Sequence, residues 1–541
     1  MRAGGRALQV VPLLTLLAVG CSRPDPGPFR HVVLISLDTT RADHLDPYGA
    51  TRPTTPRIAA LAEAGVLFEH VLSPAPTTLA AHTSIMTGCY PQSHGVARNG
   101  FNVNPANVML AELLADEGFH TAGFLGSWAL HSSFDFNQGF DTFDESFDVL
   151  VGAERGGGHD QDQRDARQVT DALLSHVDRV EAERMFLFAH YFDAHQPYEP
   201  PAPHGASFRS PGDLEQAGDS HLGRAVAERV ESILGQPLSV SQLITHGLFR
   251  PLIEQADGEP RGLDRQLANL YAGEVAYIDQ QIARLLAGLN TRGILEDALV
   301  ILTGDHGETF WEHGDAWNHG LWVYDTTVRV PLILCFPDGR GAGTRVTAPV
   351  STIDIVPTLC DLLGLARPAR VQGMSLVPAL AGGAFERGPV YTQATQPLSR
   401  AVELTGPWPN LLKPRAVRRG RWKYVQAPYL SSRERRPQVM LASAGLEQLF
   451  DLQTDPGEQV NLLRSDLDPG AAAALESLRG QLEAWAASAD PLPSAFNSGQ
   501  SAEILRRLDG LGYVGSDEEQ DEEQDEEQDE EQDEENGDED R

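Results

Sequence analysis

Lysine is almost missing from this 541-residue chain: of 42 Lys and Arg residues, only Lys413 and Lys423 are lysine. No site built upstream of Lys413 can use a lysine cation. Cysteine is also scarce, at four residues. Apart from Cys21 near the N-terminus, Cys89, Cys335 and Cys360 form an odd set without close spacing, which argues against a disulfide framework. Cys335 and Cys360 stand in the apolar contexts PLILCF and PTLCDLL and read as core residues. Basic stretches are lacking. The formal net charge is −35, and neither half of the chain is basic enough for nucleic acid. Residues 517–541 contribute −17 of that charge, through four DEEQ units, one DEEN and a closing DED before Arg541. Such a run repels itself, so 516–541 is expected to be a disordered acidic tail that solubilises, or holds cations or a partner. Past the N-terminus no apolar run is long enough to span a bilayer.

What is present begins with MRAGGRALQVVPLLTLLAVGCS. Arg2 and Arg6 precede an apolar run of signal-peptide length and then small residues before Cys21. AVGC reads as a lipoprotein cleavage site, with Ala18 where Leu is commoner. The expectation is a signal peptide over 1–20, removed before a lipidated Cys21, and a Pro-rich tether over 21–30. The mature protein would be exported to a bacterial cell envelope and held at a membrane through Cys21. An ordinary signal peptide or a short anchor is the alternative.

HVVLISLD (31–38), MFLFAHYFDAH (185–195) and ALVILTGDHGE (298–308) are apolar runs that stop on acid or imidazole. Continuous apolar runs of this length predict buried parallel strands. TTPRIAALAEAG, the stretch after Thr78, NVMLAELLADEG, LANLYAGEVAYIDQQIARLLAGL and STIDIVPTLCDLLGL predict helices, while HTAGFLG and VPLILCF predict further strands. Strands alternating with helices predict an α/β fold, a mostly parallel sheet with helices on both faces. Ligands in such sheets bind beyond the carboxyl ends of the strands. This unit is expected over 31–385, with 205–262 an insertion or lid. PVYTQAT, RAVRRGRWKYVQAP and EQLFDLQ, followed by AAAALESLRGQLEAWAAS, predict a smaller C-terminal α+β subdomain over 386–515.

The three strand ends carry Asp38, Asp193 with His195, and Asp305 with His306. Carboxylate and imidazole together suit a divalent cation: Zn²⁺ or Mn²⁺ for a mixed set, Ca²⁺ for oxygen ligands. SPAPTTLAAHTSIMTG places Thr78 at the start of a helix, where free N–H groups attract an anion. A cation beside that hydroxyl would make it a nucleophile toward an anionic ester. His82 lies one turn on. Asn99 is a candidate donor to charge developing on the transferred group. TGDHGETFWEHGDAWNHG adds His313 and His319. Asp193, His195 and His319 could hold a second cation, or meet the substrate directly. For each of these residues a structural role, as a cap or a satisfied core histidine, is the competing reading.

Taken together, these motifs resemble the sulfatases of the alkaline-phosphatase superfamily. LISLDTTRADHL is similar to the family's opening motif and TSIMTGCYPQSHGV to the segment after its nucleophile. HYFDAHQPYEPP and GDHGE…EHG…NHG…VRVPLIL are similar to its histidine and second metal motifs. STIDIVPTL, QGMSLVPAL, RRGRWKYV, LFDLQTDPGEQVNLL and LRRLDGLGYVG resemble its C-terminal half, so the likeness runs from about 31 to 515. The resemblance implies the fold just described, one or two divalent metals, and an anionic ester substrate.

Counted back from the TG pair, the family's Cys or Ser, which becomes formylglycine, falls on Thr78, and the motif's Arg falls on His82. Threonine cannot be converted to formylglycine. Cys89-Tyr-Pro lies eleven residues too late to be the modified residue. The paired acids of the first strand end become Asp38-Thr39, and His319 takes the place of an active-site lysine. By resemblance, Asp38, Thr78, Asp305 and His306 form one metal site, as in the family's phosphodiesterase and phosphotransferase relatives. Thr is the nucleophile there and Asn steadies the oxyanion. Asp193, His195 and His319 would form the second site. The expected activity is hydrolysis of phosphate or sulfate esters through a covalent Thr78 intermediate. Sulfate-ester hydrolysis proper, transfer of a phospho-linked head group to envelope glycans or lipids, and a non-catalytic binding protein are the other readings.

Overall fold

The computed structural model describes residues 29–147, 163–196, 198–207, 261–310, 312–313, 319–380, 385–395, 413–427 and 447–495. The leader, Cys21, most of the tether, the bulk of 205–262, the closing LRRLDGLGYVG motif and the acidic tail lie outside them. No helix among the described residues is long and apolar enough to cross a membrane.

The strands are β1 (His31–Leu37), β2 (Val66–Phe68), β3 (Val71–Leu72), β4 (His120–Phe124), β5 (Thr142–Asp144), β6 (Met185–Tyr191), β7 (Ala298–Gly304), β8 (Arg329–Val330), β9 (Leu332–Cys335), β10 (Thr344–Val346), β11 (Val350–Ser351), β12 (Val390–Gln393), β13 (Arg415–Arg419), β14 (Trp422–Gln426) and β15 (Glu447–Asp451). The main helices are α1 (Pro56–Ala64), α2 (Thr78–Thr87), α3 (Leu110–Asp116), α4 (Ala166–Val177), α5 (Arg261–Thr291), α6 (Ile355–Leu363) and α7 (Pro469–Ala487).

Eight strands form one sheet in the order β10-β2-β9-β7-β1-β6-β4-β5. Within it β9 alone runs against its neighbours β2 and β7. Every residue of β1 is buried, because both faces of the sheet are covered. Val32 and Leu34 pack with α2, α3 and α6 on one face. Val33, Ile35 and Leu37 pack with α1, α4 and α5 on the other. The two-residue period of a strand thus builds two cores from one apolar run. The fold is the mixed, mostly parallel α/β architecture that the alternating pattern predicted.

The short ribbon β11-β3-β8 leads the chain toward α2. All ten residues of α2 are buried. Gly88 ends it in the left-handed region at φ 68°, and a Cβ there would sit 3.1 Å from Val356 Cβ. The TG pair seen in the sequence is therefore a helix stop pressed against α6.

The C-terminal unit is a four-stranded antiparallel sheet, β12-β13-β14-β15, backed by α7. Asp468 caps α7 through the Gly470 and Ala471 amides, both at 2.8 Å. Leu478, Leu482 and Trp485 of α7 pack on Val417, Tyr424 and Leu449. Trp485 stacks on Tyr391 with centroids 4.9 Å apart and meets the edge of Tyr90 at 5.4 Å, joining this unit to the segment after α2.

Lys423, one of the two lysines, is fully buried on β14. Its Nζ lies 2.7 Å from both Asp325 Oδ1 and Glu458 Oε1, and Arg418 reaches Asp325 Oδ2 at 3.2 Å. Burial pushes the Glu458 carboxyl up to about 7, against the pull of Lys423. A folded state that keeps a proton released near 4.5 on unfolding loses stability as pH climbs from there to about 7. Glu458→Gln is expected to flatten this part of the stability profile, measured by denaturant titration across that window. Lys423→Met strands two buried carboxylates and is expected to cost about 3–5 kcal/mol.

Candidate active site

β1, β7 and β6 are adjacent and parallel, with Leu37 in register with both Gly304 and Tyr191. The next residues therefore emerge side by side at one sheet edge: Asp38 from β1, and Asp305 with His306 from β7. Ligand atoms of these three fully buried residues lie within 4.8 Å of one another. His306 Nε2 is 3.3 Å from Asp305 Oδ2 and 4.0 Å from Asp38 Oδ1. Its Nδ1–H donates to the Gly307 carbonyl at 2.9 Å, so the Nε2 lone pair faces the carboxylates.

Thr78 is the first residue of α2, and its Oγ1 lies 3.5 Å from His306 Nε2. The sequence-predicted set Asp38, Thr78, Asp305 and His306 is thus assembled in one place. Thr39, between the two acids in space, donates its N–H to Asp305 Oδ1 at 3.0 Å and its hydroxyl to Asp38 Oδ1 at 2.6 Å. It does so at φ 53°, a costly conformation for a β-branched residue. Tyr271 holds it there, its hydroxyl donating to Thr39 O and accepting from Arg41 N, each at 2.9 Å.

The electrostatics are uneven. Burial disfavours charge on Asp38, but the hydrogen bond from His190, then the nearby imidazoles, hold its carboxyl well below the usual range. Asp305 is pushed well above that range, by burial first and by the negative Asp38 second. Burial, then His319, lowers His306 well below an ordinary histidine. Among the described residues, buried Asp305 Oδ2 accepts no hydrogen bond. Two carboxylates and an imidazole lone pair converge, with ligand atoms within 4.8 Å of one another. That donor set fits a divalent cation, which removes the like-charge repulsion.

Asn99 Oδ1 accepts the Leu79 N–H at 2.7 Å. The helix start therefore does not offer that N–H to a ligand, contrary to the simple reading of a bare N-terminus. Instead Asn99, which is 4% exposed, keeps an amide Nδ2 with no hydrogen-bond partner among the described residues. His82, expected at the chemistry, is fully buried and has both nitrogens engaged. Nδ1–H donates to Thr78 O and Nε2 accepts from Ser36 Oγ, each at 2.8 Å. Burial lowers its pKa to about 3. It buttresses the first turn of α2, and its Nδ1 lies 3.5 Å from Asp305 Oδ2.

His195 and His319 do come together, with ring centroids 5.2 Å apart and His319 4.4 Å from His306. His195 Nδ1–H donates to Gln196 O at 2.7 Å. Asp193 does not join them: its Oδ1 accepts the Ala166 N–H at the start of α4, at 3.0 Å. The acid beside His319 is Glu308, whose Oε2 is 3.3 Å from His319 Nδ1. His313 stacks on Tyr324 with centroids 3.8 Å apart.

Sequence reasoning missed Glu308, Ser36 and His190. His190 Nε2 donates to Asp38 Oδ2 at 2.9 Å, and its Nδ1 accepts from Gly126 N at 3.4 Å. The signal for Ser36 and His190 was present: both are polar residues interrupting apolar strands, and they are paired in register.

A nucleophile-type hydroxyl at a helix start, set against carboxylates and imidazoles at the carboxyl edge of a parallel sheet, belongs to the ester-hydrolase class. Residues 30–365 match the family model described as Sulfatase, and the chain belongs to the sulfatase family of the alkaline-phosphatase superfamily. It is 23% identical over 426 residues to an N-acetylglucosamine-6-O-sulfatase of Bacteroides thetaiotaomicron, covering 69% of this chain and 75% of that protein. It is 31% identical over 194 residues to a choline-sulfatase of Rhizobium meliloti, covering 34% and 31%. Among solved structures, a phosphonate monoester hydrolase of Agrobacterium radiobacter superimposes with a TM-score of 0.60 at 23% identity, over 84% of this chain and 96% of that one. A structure in complex with its substrate D-glucosamine-2-N,6-O-disulfate gives 0.63 at 19% identity, over 85% and 97%. These likenesses carry the fold.

If the convergence of Asp38, Asp305 and His306 is a cation site, adding Zn²⁺ or Mn²⁺ to chelator-treated protein should raise its melting temperature by several degrees. Asp305→Asn should lose most of that shift. Calorimetric melts with and without the ion read both outcomes.

Proposed function

We propose that this protein is a metal-dependent hydrolase of anionic esters that uses unmodified Thr78 as nucleophile through a covalent intermediate. The observation that carries the reading is the Thr78 hydroxyl 3.5 Å from His306 Nε2, beside two buried carboxylates whose ligand atoms lie within 4.8 Å of that imidazole and of each other. Asp38, Asp305, His306 and the Thr78 hydroxyl would hold one divalent cation, which supplies Lewis-acid charge that acidifies the hydroxyl and offsets the charge of the ester. The nitrogen donor suits Zn²⁺ or Mn²⁺ better than Ca²⁺. With Asp193 committed to α4, His195 and His319 are assigned to the substrate rather than to a second cation.

In this scheme Thr78 Oγ bonds to the phosphorus or sulfur of the ester as the bond to the alcohol breaks, and the proton lost by the hydroxyl is passed by way of the His195–His319 side to the leaving alcohol oxygen. Water then cleaves the Thr78 ester, releasing the anion and restoring the hydroxyl. Asn99 Nδ2 donates to the oxygen on which charge builds. His82, through the Thr78 carbonyl, and His190, through Asp38, keep the reacting groups in place.

Phosphorus esters suit this site better than sulfates, because Thr78 closes the formylglycine route. The phosphonate monoester hydrolases among the structural neighbours support that choice. The sulfate-ester reading draws on the sulfatases among the relatives.

A paired screen of aryl sulfate, aryl phosphate monoester, aryl phosphodiester and aryl phosphonate monoester tests this function. Turnover is expected on a phosphorus ester. Thr78→Ala should lower kcat by roughly 10³-fold or more, while the fold persists because a lost helix-end hydroxyl costs only about 1 kcal/mol. Thr78→Ala retaining most activity would assign the attack to another group. The envelope reading is tested separately: Cys21→Ala should move the protein from the membrane to the soluble fraction.

A further inference from the structure

The loop that carries Asn99 is tied down at both ends by the chain that follows α7. On the near side, Gln92 Nε2 donates to Trp485 O at 3.0 Å, Asp490 N to Gln92 O at 3.1 Å, and Leu492 N to Ser93 O at 3.0 Å. On the far side, Asn102 N donates to Ala495 O at 3.1 Å, Ser494 Oγ to Asn102 O at 2.6 Å, and Asn104 Nδ2 to Pro493 O at 2.7 Å. Arg370 pins the start of the segment, with Nη1 3.0 Å from Asp490 Oδ2.

Two features suit the segment to this task. Pro491 and Pro493 flank Leu492, so the chain is already restricted to an extended form and loses little freedom when it binds. Gly95 sits at φ 89°, and a Cβ there would lie 2.0 Å from Leu492 O. Only glycine admits the segment this close.

Between these ties lies Asn99, whose Oδ1 takes the Leu79 amide at 2.7 Å. Leu79 is the second residue of α2, where an amide has no partner within the helix. Asn99 supplies that partner from a loop whose ends are fixed by residues nearly 400 positions later in the chain.

We propose that residues 490–495 are a positioning strap that holds Asn99 against the start of α2. The strap fixes the loop so that Asn99 Oδ1 stays on the Leu79 amide and Nδ2 points its donor to the substrate side. This last step rests on the role given to Asn99 under the proposed function, whereas the Leu79 contact does not.

Amide exchange of Leu79 is the direct reporter, because its protection comes from Asn99. Leu492→Pro removes the donor to Ser93 and is expected to speed Leu79 exchange about tenfold, with β1 amides unchanged. Asn99→Ala should speed it similarly, and the double variant should be no faster than Asn99→Ala alone. Unchanged Leu79 exchange in Leu492→Pro, or an additive increase in the double variant, overturns the strap. If Leu492→Pro does not fold, Ser494→Ala removes one side-chain bond and asks the same question. Turnover of bis(p-nitrophenyl) phosphate by Asn99→Ala separates the two readings. Full activity there would overturn the role of Asn99 in chemistry and leave the strap to be judged by exchange.

Discussion

Two carboxylates are held close together where water does not reach them, and most of the site follows from that constraint. Asp38 and Asp305 are fully buried at the ends of neighbouring parallel strands whose register leaves no other place for them. Like charges this close cannot both persist unaided. The chain meets the problem with hydrogen bonds from the backbone, the Thr39 hydroxyl and His190 on one side, and with a donor set that fits a divalent cation on the other. The strained Thr39, held by Tyr271, is a cost accepted to bring donors to both acids at once.

The same constraint shapes the support of Thr78, the proposed nucleophile. Thr78 must face the carboxylates from a buried helix, so its first turn has to be fixed without solvent. His82 does this through the Thr78 carbonyl and Ser36. Asn99 does it through the Leu79 amide. Where a charged arginine or lysine would stand in the resembling family, this chain has His82 and His319. Burial lowers His82 to about 3, so it acts as a neutral brace. In the proposed chemistry, charge compensation therefore shifts from fixed side-chain cations to the bound cation and to hydrogen-bond donors.

Much of this was legible from the residues. Apolar runs ending on Asp or His gave β1, β6 and β7 and hence the edge where ligands bind, because strand period and sheet burial are local properties. Thr78 and Asn99 were legible as candidates, though not the way Asn99 consumes a helix amide. Asp193 was misplaced for a physical reason. A residue just past a strand can turn to either face, and Asp193 takes the nearer task of receiving the Ala166 amide. Glu308 and His190 were passed over because one lies in a turn and the other in a strand, where a structural role is the default. His190 pairs with Asp38, 152 positions away, which only strand register brings together, whereas Glu308 stands eleven residues before His319 in a stretch read for its histidines.

The C-terminal unit shows most plainly why sequence order understates the site. Its sheet is braced to the catalytic unit by buried Lys423, and Trp485 of α7 locks against Tyr90, one residue before the segment that leads to Asn99. The end of α7 therefore has a fixed position relative to α2, and the six residues after it inherit that position. A proline-flanked leucine whose carbonyl fits only against a glycine converts it into placement of one amide. By the proposed strap, a small unit at the far end of the chain sets the geometry at Thr78. The C-terminal half is then better regarded as part of the catalytic frame than as an appendage.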